Sequence, residues 1–527
     1  MTEPRQVSDL VNLDTAPLDE LFSPFDRSDS PGLVVGVAHH GIPIYRRGFG
    51  LANVELPVAL TPQTRLRIGS TTKHFLCLLL MLLAEEGKLS PDDKVRKYIP
   101  ELGEWADEVT LAHLMSHTSG MRCAKDLLTM LGGAGGIPEE GMRQVALATV
   151  EGNFAPGDDW SYSNGGFTLV NEVVKRVGGA PFEVQLHERI LKPMGMHNTL
   201  GRPHDITCLP NSASNHLPDP QGGWRKGLLG WAVHGEGNMA STVDDMLLWL
   251  KHLSAPKVGN AETWARMRTP CRVSNGASTG YGFGLMTAEY RGLSVLHHPG
   301  GVIGCSSQML KVLGHELDIA IMTNMMGPAN PVLLAFDIID RLISGLAPIE
   351  ESSGKAKPVS GEFYSKATGR YLVLAEHEGQ QALQIGPTKL PLQRRADGSF
   401  WSLAFPAGSP RFHISETSVG VEEFGKVDTL PCVAPPDSSN GASIQGRFEI
   451  HDIGGMAVIE GTDPAQLRIS SAYGLRAYRL DRRGPDLWLC LSTDPLNPTP
   501  DMPLHREGDD LFLSFVGIRR LRFMRVH

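Results

Sequence analysis

Little in this sequence would cross-link it, hold a metal through thiolates or bury it in lipid. Its seven cysteines (Cys77, Cys123, Cys208, Cys271, Cys305, Cys432 and Cys490) are scattered, odd in number and without paired metal-ligand spacing. That pattern excludes a disulfide framework and favours reduced thiols in a cytoplasm-like compartment. The apolar run Phe75 to Ala84 is far too short to span a bilayer, so no membrane association is expected. The opening MTEPRQVSDLVNLD lacks an apolar core and a cleavage site, so no signal peptide is expected and the expected location is cytoplasmic. Positive charge is not in excess either. The formal net charge is -9, which disfavours nucleic acid as a partner and favours solubility.

What is present is an ordinary globular composition, with 41% hydrophobic and 20% charged residues. At 527 residues the chain exceeds the size of a single core, so roughly two to four domains are expected. Residues 1–344 mix helix and strand signals. The strand pair LVVGVAHH and IPIYRRGFG opens this region, and TTKHFLCLLLMLLAEEGKL reads as a buried central helix. Helical stretches follow around Thr110 to Ser116 and Gly165 to Val177. Strands return in GFGLMTAEY, LSVLHH, SSQMLKVL and LDIAIMTN, before a last helix at Pro331 to Ser344. Strands at both ends with helices between predict an α/β layer fold on an antiparallel sheet.

Gly345 to Ser360 is polar and proline-containing and reads as a linker. Beyond it, short β-rich runs alternate with turn residues and repeat themselves. GEFYSKATGRYLVL at Gly361 is echoed by GRFEIHDIGGMAVI at Gly446, ALQIG by QLRIS, and SFWSL by DLWLC. Pro435 and DSSNG mark the joint. Two small antiparallel β-barrels are expected, over 345–440 (with the linker) and 441–527.

Three short elements carry chemistry. Ser70-Thr71-Thr72-Lys73 opens the central helix, where residues three apart share a face and the amine can reach the hydroxyl. A serine becomes a nucleophile when a neighbouring base takes its proton, and a buried lysine of lowered pKa can be that base. The same spacing occurs at Ser254…Lys257 and Ser352…Lys355, but in loop sequence that does not fix the geometry. Tyr162-Ser163-Asn164 begins another helix. Its phenol can relay a proton, and the Asn164 amide can orient the lysine and a substrate carbonyl. The ordinary alternative is a helix start with Ser163 or Asn164 as N-cap. His298-Pro299-Gly300-Gly301 follows the strand LSVLHH. Gly300 and Gly301 allow close substrate approach, and the amides of Gly301 and Ser70 can form an oxyanion hole. His298 would supply a polar or cationic wall, unless it merely caps a strand.

In this order and at these separations, S-x-x-K, Y-x-N and H-x-G resemble the serine β-lactamase and penicillin-binding family. LAHLMSHTSGM, LKPMGMHNT, GNMASTVDDMLLW and YGFGL fit it too, so the resemblance covers the region before the linker almost continuously. It implies a β-lactamase-like catalytic domain with Ser70, Lys73, Tyr162 and His298 catalytic, and with Asn164, Gly300 and Gly301 binding substrate. The H-x-G element and the two trailing barrels narrow the likeness to the D-aminopeptidases of that family. In these, a loop of the last barrel enters the cleft and presents an aspartate to the substrate's free amine. Here that loop is LSTDPLNPTPD, with Asp494 the matching acid, Asp501 a second choice, and a solvated hairpin aspartate the ordinary alternative. One departure is Gly69, where the D-aminopeptidase pattern has cysteine.

The implied reaction releases an N-terminal D-residue from a peptide or amide through an acyl-enzyme, with no metal or organic cofactor. β-Lactams are implied as possible inhibitors and a homodimer as a possible assembly. The alternatives are another hydrolase of the family (esterase, amidase, D,D-carboxypeptidase or β-lactamase) and a non-catalytic β-lactam-binding sensor.

Overall fold

The computed structural model describes residues 11–131, 140–349, 357–386, 388–403, 410–436, 444–462, 464–494 and 499–527. The middle of the expected linker, the DSSNG joint, the first ten residues and the middle of the loop after Asp494 therefore lie outside the described residues.

An antiparallel six-stranded sheet organises the first part of the chain. Its order is Met286–Tyr290, Leu293–Val302, Cys305–Val312, Leu317–Thr323, Leu33–His39 and Ile42–Phe49. The N-terminal hairpin thus joins the late meander through Leu33–His39, which pairs with Leu317–Thr323 from Leu33↔Thr323 to His39↔Leu317. The pleat then sends alternate residues to opposite faces. Leu33, Val35 and Val37 enter one core with the helices Ala16–Phe22 and Pro331–Leu342. Val34 and Ala38 enter the other, with the central helix Thr72–Glu85. That helix is buried on nearly every side, as its unbroken apolar sequence requires.

The strand that carries His298 runs further than its sequence suggests. It continues through Pro299, Gly300 and Gly301 to Val302, paired with Cys305–Val312. Its other neighbour, Met286–Tyr290, ends opposite His297. Past His297 the strand is therefore an edge, and an edge is where proline's missing N–H is tolerated.

The repeat yields two β units that differ in closure. Eight strands from Gly446–Ile450 to Ile518–Val526 form a closed barrel. The earlier copy has a four-stranded sheet from Gly361 to Pro391 and a five-stranded one from Gln393 to Pro431. These share a core of Phe363, Leu374, Leu383, Phe412, Val419 and Leu430. Where the barrel has one long strand, Gly474–Arg482, the earlier copy has two short ones separated at Leu392. Pro391 cannot donate to a ladder, which accounts for the break. Of the two small antiparallel β-barrels expected, the second is a closed eight-stranded one and the first is split into two sheets. The closed barrel is fused to the helical region: the helix Ala124–Leu131 and the barrel interior belong to one apolar cluster. A buried Arg122–Asp452 ion pair crosses the same boundary.

Candidate active site

The nucleophile candidate sits on a 3-10 turn, Gly69–Thr71, that leads into the central helix. This places the backbone N–H of Ser70 among the amides that lack a helical acceptor. One turn on, the Lys73 amine lies 3.2 Å from Ser70 Oγ. It also donates to Asn164 Oδ1 at 2.8 Å and to the Glu236 carbonyl at 2.7 Å. Lys73 is fully buried, with its amine 4.9 Å from the centre of the Tyr162 ring and 5.0 Å from that of Phe167. Burial disfavours its charge and lowers its pKa to about 7, while the nearby Glu236 opposes that shift. An amine that is partly neutral at physiological pH, beside a hydroxyl, is a competent base.

Tyr162 precedes the helix Asn164–Gly178, whose N-cap is Ser163, accepting from Gly166 N at 3.1 Å. The cap and the chemistry thus coexist: Ser163 closes the helix end, and Asn164 points its oxygen at Lys73. The Tyr162 side chain stands beside Ser70, and burial holds its pKa well above the usual phenol value. It therefore works as a neutral O–H. The His117 ring packs 4.2 Å from the Tyr162 ring, and His117 Nδ1 accepts from Ser163 N at 3.1 Å.

The edge strand closes the third side. Thr71 Oγ1 donates to the His298 carbonyl at 3.4 Å, and Ser307 Oγ donates to the Ile68 carbonyl at 2.9 Å. A side chain on Gly300 would strike the Ile68 carbonyl, whereas one on Gly301 would enter open space. Gly301 thus borders the cleft. The His298 ring is buried, with Nδ1 at 2.6 Å from the Pro299 carbonyl and Nε2 at 2.9 Å from Tyr281 Oη. A carbonyl can only accept, so Nδ1 carries the proton and Nε2 accepts from the phenol. Burial, with His74 and Lys73 nearby, keeps the pKa of this histidine well below its ordinary value. His298 is a neutral, tethered ring, and the cationic wall considered from sequence is corrected.

Ser70, Lys73, Tyr162, Asn164, His298, Gly300 and Gly301 are thus gathered from three distant segments. Asp494 is placed differently: its carboxylate is 2.9 Å from Arg476, so its charge is already offset. Asp501 borders a cavity of 550 Å³ between Trp160–Tyr162 and the two β units, lined also by Tyr371, Phe412 and Val516. Ser70 and Lys73 do not line that cavity, which meets the site at Tyr162.

Sequence reasoning missed three groups. Glu236 is buried, with Oε1 accepting from His234 N at 3.1 Å and Oε2 unpartnered among the described residues. Cys123 Sγ lies 3.8 Å from Asn164 Nδ2. Asp126, at the start of the helix Ala124–Leu131, accepts from Gly517 N at 3.0 Å, next to the Tyr162 backbone. No motif announces them. Only the H-T-S-G-M run before Cys123 and the G-E-G run at Glu236 mark turns where the chain comes close to the site.

The β-lactamase family model matches residues 18–341. A D-aminopeptidase of Gluconobacter oxydans is 26% identical over 529 residues, spanning 95% of this chain and 97% of that protein. Among solved structures, the octameric penicillin-binding protein homologue from Pyrococcus abyssi superposes with a TM-score of 0.57 at 19% identity, covering 97% of this chain and 99% of its own. D-amino acid amidase from Ochrobactrum anthropi, in complex with D-phenylalanine, gives a TM-score of 0.51 at 21% identity over 60% of this chain and 92% of its own. No helix of the described residues is long and apolar enough to cross a membrane. With the family model matching well over half of its length, and Ser70, Lys73, Tyr162 and Asn164 gathered around one amine, this chain belongs to the β-lactamase family.

Proposed function

We propose that the chain is a serine hydrolase that releases the N-terminal D-residue of a peptide or amide through an acyl-enzyme on Ser70. The observation that carries the reading is the 3.2 Å approach of the Lys73 amine, held near neutrality, to Ser70 Oγ. Neutral Lys73 takes the hydroxyl proton as Oγ bonds to the substrate carbonyl carbon. The amides of Ser70 and Gly301 receive the oxyanion. The C–N bond breaks as the leaving amine takes a proton, delivered from Lys73 by exchange through the Tyr162 hydroxyl. Water then attacks the ester, with the same groups in reverse, and frees the D-amino acid. His298 braces Tyr281 and the edge strand, and no step runs through it as a cation.

Specificity for a free amine needs a carboxylate near the acyl site. Asp126 is favoured over Asp494, because it is partly exposed, lies beside Tyr162 and meets a neutral amide N–H, whereas Asp494 faces Arg476. The D-selectivity is taken over from the likeness to D-aminopeptidases along almost the whole chain. All seven cysteines are free thiols, which supports a reducing, cytoplasm-like compartment. The testing experiment compares D-alanyl, L-alanyl and N-acetyl-D-alanyl p-nitroanilides, each also with Ser70→Ala. Selective release from the first, lost in the variant, is expected. Equal rates on all three would reject the aminopeptidase reading in favour of a general esterase or amidase. Stable acylation by a β-lactam without turnover of any substrate would favour the sensor.

A further inference from the structure

The two β units carry equivalent hairpins. Ser418–Glu423 and Lys426–Pro431 in the first correspond to Asp510–Phe515 and Ile518–Val526 in the second. Each turn pairs a non-glycine of positive φ with a glycine: Phe424 (φ 48°) with Gly425, and Val516 (φ 22°) with Gly517. Both turns land on one short segment of the catalytic region, Asp158 to Tyr162.

The first hairpin grips the start of that segment. The Phe424 ring lies 5.6 Å from the Trp160 ring, and Lys426 Nζ donates to the Asp158 carbonyl at 2.6 Å. Asn275 Nδ2 donates to the Phe424 carbonyl at 3.0 Å, which pins the turn in place. The second hairpin grips the end. Gly517 O accepts from Cys123 N at 3.1 Å and from Asn153 Nδ2 at 3.0 Å, and Gly517 N donates to Asp126. A Cβ on Gly517 would stand 2.6 Å from the Cβ of Cys123 and 3.1 Å from the Tyr162 carbonyl, so the approach is closest at a residue that has none.

The grips meet on one carboxylate. Arg519 donates to Asp159 Oδ2 at 2.8 Å and to the Trp160 carbonyl at 3.3 Å. Lys426 Nζ stands 4.0 Å from the same Asp159 oxygen. Asp159 Oδ1 meanwhile accepts from Trp160 N at 2.8 Å. The Trp160 ring is 6.3 Å from that of Tyr162 and 5.8 Å from that of His117, which itself packs on Tyr162.

We propose that Asp159 is a positioning residue for Tyr162, held by one cation from each β unit, Arg519 more closely than Lys426. Both barrel-like units are then part of the reaction's geometry, although none of their side chains among the described residues touches Ser70 or Lys73. The inference rests on the acyl-transfer reading of Ser70, because Tyr162 matters through its contact with that hydroxyl. Small displacements of a relay group are costly: about 1 Å can slow a reaction ~100-fold.

The experiment uses the full chain with Asp159→Asn, Arg519→Gln and Lys426→Met, and Asp159→Glu as the conservative variant. With D-alanyl p-nitroanilide, Asp159→Asn is expected to lower kcat about tenfold or more with KM changed less than about twofold. Asp159→Glu restores part of the loss, and Lys426→Met, further from the carboxylate, has the smaller effect. In a Tyr162→Phe background Asp159→Asn produces no further fall. An additive loss there, or an unchanged kcat in the single variant, overturns the proposal. A second readout needs no turnover: 3-fluorotyrosine at position 162 gives one fluorine resonance in the parent chain and a shifted or broadened one in Asp159→Asn and Arg519→Gln. An unchanged resonance also overturns the proposal. A parent chain that forms no acyl-enzyme on Ser70 overturns the functional reading, while the fluorine signal still decides the clamp.

Discussion

Gly69 and Gly301 lie against each other: a Cβ on Gly69 would fall 2.5 Å from the Gly301 amide nitrogen, and Gly69 holds φ +51°. The residue before the nucleophile is therefore glycine for two reasons, a left-handed backbone and the closeness of an oxyanion donor. Gly69→Ala is expected to cost about 1–2 kcal/mol from the backbone alone. It should also slow acylation by displacing the Gly301 amide. Thermal unfolding and the rate of acyl-enzyme formation check the two effects. Gly69→Cys should behave likewise, and reagents that modify the exposed Cys208 and Cys432 should leave the parent enzyme active.

The pH profile follows from Lys73. The reacting form is the neutral amine, so kcat/KM should rise with pH through about 7 and then level off. No alkaline limb from Tyr162 is expected in the usual phenol range, because burial holds that proton more tightly. Glu236 favours the charged amine, so Glu236→Gln should move the rising limb to lower pH. A shift to higher pH would contradict this placement of the carboxylate.

Tyr162→Phe keeps the ring over the Lys73 amine and removes only the hydroxyl at Ser70. Loss of a proton relay costs about 10²–10⁴-fold in rate. The fall should appear in kcat for the anilide and be smaller for a p-nitrophenyl ester, whose leaving group needs no proton. Equal losses on both would assign Tyr162 to serine activation instead.

For the substrate's amine, Asp126→Asn should reduce kcat/KM for D-alanyl p-nitroanilide about tenfold or more, with little change for an ester lacking an amine. Asp494→Asn should do less, because Arg476 already balances that charge. The reverse order would restore the last-barrel loop as the amine site.

The parts of this site that could be read in the sequence are those fixed by local geometry. One helical turn ties Ser70 to Lys73, and the same short-range logic finds Tyr162 and Asn164 at a capped helix start. The duplication could be read because each copy repeats its own glycines, Gly361 with Gly446 at a strand start and Gly369 with Gly454 in the turn that follows. Tertiary context decided the rest. Pro299 reads as the end of a strand, yet the strand runs on because its neighbour stops at His297. Glu236 and Asp126 reach the site from segments whose sequence resembles any turn or helix start. The charge of His298 could not be read either, because it depends on burial beside Tyr281 and His74.

The most direct measurement is peptide-mapped mass spectrometry of the enzyme quenched during turnover of a D-alanyl ester. An added D-alanyl group is expected on the peptide that contains Ser70. That adduct is lost in Ser70→Ala and fails to accumulate with the L-alanyl ester. Undiminished turnover by Ser70→Ala, or an adduct on any other residue, would contradict it.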